Sequence, residues 1–176
     1  MRALKLLGAL AAAVLFHFLG MHLLPAHLAS FFARGVDVFL VVLVLYALES
    51  SSLAALFVGL AIGLLHDTLT GGPYGLFGFA DTIVGYSTAR LAQRLVIQRA
   101  TGVLALVSFA AVGQEAIVAG LAFLLQPAPE LPDPVWVAVE AGVCGVLGML
   151  IHIAWDHWQR AAEARRRGRM SRLRLG

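Results

Sequence analysis

Charge is what this chain has least of. Asp, Glu, Lys and Arg make up 13% of its 176 residues, about half the ~25% usual for soluble domains. A soluble protein of this length needs a charged skin around its core, so an ordinary soluble enzyme is excluded. A hydrophobic content of 60% excludes disorder, which requires low hydrophobicity. Cys144 is the single cysteine. It leaves no internal disulfide and no multi-cysteine metal or iron–sulfur centre. There is no Gly-x-Ser-x-Gly, no His-Glu-x-x-His and no evident pair of intramembrane aspartates, so nothing nominates an enzyme or a cofactor.

What is there in abundance is apolar sequence. Mean hydropathy is +0.87, and runs such as 38–46 and 116–125 are unbroken. A transmembrane barrel would instead alternate apolar and polar residues over ~10-residue strands. The expected class is an all-α polytopic membrane protein. A spanning helix needs ~17–25 residues, and six candidate segments follow in order: about 3–24, 31–48, 53–66, 76–91, 101–125 and 135–158, the third of them short. Together they form one transmembrane bundle over 1–158, followed by a basic tail over 159–176. Arg2 and Lys5 before the first run also fit a signal peptide. That run is too long for a signal core, and Ala26-His27-Leu28-Ala29 is a poor cleavage site, so the segment is read as a span.

Lys and Arg favour the cytoplasmic side of a membrane. With six spans, twelve of the thirteen basic residues fall on one side, and only Arg34 falls on the other. Both termini are therefore expected in the cytoplasm, in a multi-pass protein of the cytoplasmic membrane. The Arg-rich tail is read as an anchor to anionic lipids, worth about 1 kcal/mol per residue near the surface, and not as a nucleic-acid patch.

The remaining polar residues are few enough to place one by one. Arg34 and Asp37 are three apart, share a helical face and are expected to pair. With His66, Asp81 and Glu140 they form a predicted outer polar cluster, near the ends of their spans. A metal site from His66, Asp67 and Asp81 lacks any recognisable ligand spacing. Gln114 and Glu115 lie deep in the fifth span, apart from other acids. There an ionisable group is expected to be protonated or paired across helices. Gly142, Gly145 and Gly148 suggest close helix contact in the sixth span.

The most informative stretch is 59–78, Gly-Leu-Ala-Ile-Gly-Leu-Leu-His-Asp-Thr-Leu-Thr-Gly-Gly-Pro-Tyr-Gly-Leu-Phe-Gly. Gly59 and Gly63 lie on one helical face and permit close approach of another helix. The third span, 53–66, is expected to be short, about 21 Å at ~1.5 Å per residue, with Asp67 at its end. Gly72, Pro73 and Gly75 then form a turn.

This pattern of Gly59, Gly63, Asp67, Gly72, Pro73, Gly75 and Gly85-Tyr86 resembles the central region of the MreD family, the integral-membrane subunit of the bacterial rod-shape machinery. The match covers about a quarter of the chain. The resemblance implies no catalysis. It implies a scaffold that binds MreC, a single-span shape protein, and through it the peptidoglycan transglycosylase and penicillin-binding transpeptidase. It also implies a fold similar to the substrate-binding S-components of energy-coupling-factor vitamin transporters. Ala9 and Ala13, four apart in the first span, keep such an uptake subunit as the alternative function.

Overall fold

Helix starts and stops here coincide with groups that satisfy the backbone. The Ser51 hydroxyl accepts the Ala54 N–H at 3.3 Å and opens one helix. Gly71, at φ +69°, closes the same helix in the left-handed region that glycine enters without penalty. The computed structural model describes residues 2–71, 74–95, 99–126 and 132–173. Among them are seven α-helices: α1 (Arg2–Leu23), α2 (Ala26–Gly35), α3 (Val38–Leu48), α4 (Ser52–Thr70), α5 (Leu76–Arg94), α6 (Ala100–Leu125) and α7 (Pro134–Leu173).

Five segments are long and apolar enough to cross a membrane: Leu6–Leu23, Ala26–Leu48, Ser52–Thr70, Ala100–Leu125 and Pro134–Ala161. The protein is a multi-pass helical membrane protein. The expected fourth span corresponds to α5. It has the length, at 19 residues, but Asp81, Ser87, Thr88 and Arg90 make it too polar to qualify on composition.

Three boundaries differ from expectation. The second segment begins at Ala26 and is broken at Val36–Asp37, both in extended conformation, into α2 and α3. The third is not short, because α4 runs on to Thr70 over 19 residues, about 28 Å. Asp67 therefore lies inside a helix and not at its end. A single Asp within an apolar helix costs little when its side chain is satisfied elsewhere, and here it is. The sixth continues as one helix to Leu173, so no helix break marks residue 159.

The core lies where α3 passes between its neighbours. Leu40, Val41 and Val44 pack with Val84 of α5, Val103, Leu106, Val107 and Ala110 of α6, and Ala141 and Cys144 of α7. On its other side Phe39 and Leu43 meet Ala13 of α1 and Ile62 of α4. A helix buried on all faces must be apolar on all faces, which explains the uniform Val-Phe-Leu-Val-Val-Leu-Val-Leu sequence of α3. The α1 helix is mostly exposed along its apolar surface, as a helix that faces acyl chains requires.

Candidate functional site

The α4–α5 hairpin is built on contacts of bare backbone. A Cβ at Gly59 would collide with the Asp81 carbonyl, and one at Gly63 with the Phe77 carbonyl and the Gly78 Cα. A Cβ at Gly85 would stand 2.6 Å from the Ala55 carbonyl oxygen. As numbers fall along α4 they rise along α5, so the two helices are antiparallel over most of their length. Small residues are what bring helices together in lipid, where apolar burial alone provides no drive. In α7, Gly145 and Gly148 play the same part against Ser108, Leu104 and Val107 of α6, whereas Gly142 meets nothing within 4 Å. The expected contact of Gly142 is thus absent.

Asp67 closes the turn end of this hairpin. Its Oδ2 accepts N–H groups of Gly75 at 2.8 Å and Gly78 at 3.2 Å, and its Oδ1 accepts that of Phe77 at 3.1 Å. The α5 N-cap, Gly75 at φ +96°, has no side chain with which to cap its own helix. The Asp67 carboxylate supplies the cap from the preceding helix, at the end where the helix dipole favours negative charge. Asp67 is 1% exposed. Gly72 and Pro73, the middle of the expected turn, lie outside the described residues. Tyr86 is 38% exposed and faces outward beside the buried Gly85.

A second polar group lies further in, and it merges residues that the sequence suggested were separate. Gln114 of α6 is completely buried. Its Nε2 donates to Asp37 Oδ2 at 3.0 Å and to Asp81 Oδ1 at 2.9 Å. Asp37 caps α3, its Oδ1 accepting the Leu40 N–H at 2.9 Å. His66 Nδ1 stands 3.7 Å from Asp37 Oδ2, with its ring between Phe39 and Phe77. Cys144 Sγ accepts the Asp37 N–H at 3.2 Å. Glu140 is buried on α7, and Glu115 is half-buried on α6. Asp37 and Asp81 form an intramembrane aspartate pair through one amide. Among the described residues, no three His, Cys, Asp or Glu side chains converge as metal ligands.

Arg34 does not join this group. The helix break at Val36 destroys the three-residue spacing that would have placed it over Asp37. Its guanidinium instead lies 5.9 Å from the Trp136 ring centroid, and Trp136 also meets Phe31 edge-on at 5.7 Å. Arg34 is exposed, and among the described residues it has no carboxylate partner.

The chain matches no protein-family model, no curated protein and no solved structure. Of the residues singled out in the sequence, the structure brings Asp37, His66, Asp81 and Gln114 together. It leaves Arg34 outside and gives Asp67 a site of its own. Cys144 was missed as a partner of Asp37, because nothing in a lone cysteine signals contact with residues 107 positions away.

Proposed function

We propose that this protein is a non-enzymatic membrane scaffold of the bacterial cell-elongation machinery, similar to MreD, that holds an MreC-like single-span protein and supports peptidoglycan synthesis. The observation that carries this reading is the α4–α5 hairpin. The described residues that bear the resemblance include Gly59, Gly63, Asp67, Gly75 and Gly85, and these serve one closed helix pair. A scaffold needs a fixed shape, and three charge-assisted backbone hydrogen bonds with direct backbone contact supply one.

In this reading α5 also crosses the membrane, as the fourth of six spans. Antiparallel contact with the apolar α4 along most of its length supports that count, and its polar face is turned inward through Asp81 and Thr88. Both termini are then cytoplasmic, the membrane is the bacterial cytoplasmic membrane, and the basic tail meets anionic lipid. The alternative, an S-component-like uptake subunit of an energy-coupling-factor transporter, draws less support. Ala13, half of its small-residue docking pair, is 2% exposed and packs into the core.

Affinity purification from native membranes with intact partners is the test. The expected co-purifying proteins are a single-span MreC-like protein and, with it, the transglycosylase and transpeptidase. Recovery of transporter ATPases in their place would overturn the scaffold reading in favour of uptake.

A further inference from the structure

The segment from Ala26 to Leu48 is a spanning segment of 23 residues with a break in its middle. His17 of α1 contacts Phe32 before the break, at 6.4 Å between ring centroids, and Phe39 after it, at 5.7 Å. The two halves therefore run back along α1 in series, and the break is about 15 Å from the start of α2 at ~1.5 Å per residue. Irregular backbone at membrane depth is tolerated only where it is buried in protein or lines a polar cavity. Here the Asp37 amide goes to Cys144 Sγ and not back to an α2 carbonyl. The C-terminal end of α2, which carries partial negative charge, is thus directed into the polar core.

The charges around this point do not balance. Asp67 has its carboxylate matched by three backbone N–H groups. Asp37 has the Leu40 N–H, the Gln114 amide and the nearby His66. Asp81, with no exposed surface, accepts from Gln114 alone, and its Oδ2 has no partner. The Gln114 Oε1, on a side chain also with no exposed surface, has none either. Among the described residues, no Lys or Arg pairs with any of these groups. Among the described residues, the basic side chains beside the break are His66 from α4 and His17 from α1. His66 Nδ1, Asp81 Oδ2 and Gln114 Oε1 are all buried without a hydrogen-bond partner, and the two orphaned acceptors beside a pair of aspartates call for a positive charge.

We propose that the break in the second span, between Asp37, Asp81 and Gln114, is a binding site for one monovalent cation, taken as sodium or as a proton. Discontinuous membrane helices recur at ion sites for the same physical reason, since helix ends and unwound backbone supply oppositely signed partial charges at depth. The site is independent of the Asp67 cap and of the scaffold reading.

The test is thermal unfolding of the purified full-length protein in detergent, along two arms at constant ionic strength. In the first, sodium replaces choline at pH 8. In the second, pH is lowered in sodium-free choline buffer. A sodium site raises Tm saturably, by about 5 °C or more at hundredfold excess over the half-saturating concentration. A proton site leaves the sodium arm flat and raises Tm as pH falls. In either case Asp81→Asn abolishes the response. Asp37→Asn, which keeps its capping oxygen for α3, serves as a second variant with the same expected loss. Asp156→Asn, at an exposed carboxylate paired with Arg160, retains the response. A flat result in both arms overturns the proposal, and so does a response that survives in Asp81→Asn or Asp37→Asn.

Discussion

Asp67 and Gly75 complete each other: the carboxylate on one helix accepts, at 2.8 Å, the amide of the residue that opens the next helix. Gly75 adopts a backbone conformation that only glycine enters freely, and so cannot carry a capping side chain. The buried aspartate upstream takes that role, and the hairpin becomes a unit whose turn and helix start are held by one side chain. Asp67→Leu removes both acceptor oxygens and leaves the Gly75, Phe77 and Gly78 donors to find others, at about 1–3 kcal/mol for each buried donor left unpaired. Asp67→Asn keeps one oxygen and most of the shape. In detergent-solubilised thermal unfolding the Leu variant should be much the less stable, and should recover less of an MreC-like partner. Equal, undiminished stability of both would mean that the three hydrogen bonds contribute nothing.

Glycine substitutions separate contact faces from lipid faces. Gly63→Leu and Gly59→Leu force a side chain into the α5 backbone, and overpacking of this kind costs about 1–3 kcal/mol or more. Even Gly63→Ala should be destabilising, because its Cβ alone collides with the Phe77 carbonyl. Gly113→Ala and Gly142→Ala meet no neighbour within 4 Å and should gain roughly 0.5–1 kcal/mol from helix propensity. The same melting assay reads both signs. Opposite or equal effects at the two classes of position would refute the tight α4–α5 interface.

A double-mutant cycle decides what Arg34 does. A cation–π contact at an exposed site is worth about 0.5–1 kcal/mol. Arg34→Ala and Trp136→Ala should therefore show a coupling of that size. Arg34→Ala and Asp37→Asn should be additive, because a helix break separates them. Strong coupling in the second cycle would restore the ion pair that the three-residue spacing suggests.

Topology is open to single-cysteine labelling. Cys144 has no exposed surface, so the native thiol should stay silent to an impermeant maleimide. With six crossings, Glu130→Cys should label from outside in intact cells, and Arg167→Cys only after permeabilisation. Labelling of position 167 in intact cells would exclude cytoplasmic termini and require α5 to be assigned differently.

Much of the architecture was legible in residue order, for local reasons. Hydropathy over ~20 residues identifies a membrane helix whatever its neighbours, because lipid is the solvent and each backbone must satisfy itself. The four-residue spacing of Gly59 and Gly63 marks a flat helical face, and Gly71 and Gly75 mark the turn, because both signals are properties of one short segment. Hydropathy also concealed things. It ran α2 and α3 together as one apolar stretch, although Gly35 followed by Asp37 is a stop-and-start signal in the chain. It ended α4 at the first charge, although that charge is satisfied by three amides from beyond the turn. Which partner each polar side chain meets was decided only by tertiary structure. Gln114 bridges Asp37, 77 positions away, and Asp81, 33 positions away, and no local period encodes which faces of α3, α5 and α6 turn toward one another. Sequence determines that a buried amide and two buried carboxylates must find partners, since leaving them unpaired costs too much; packing alone determines that they find each other.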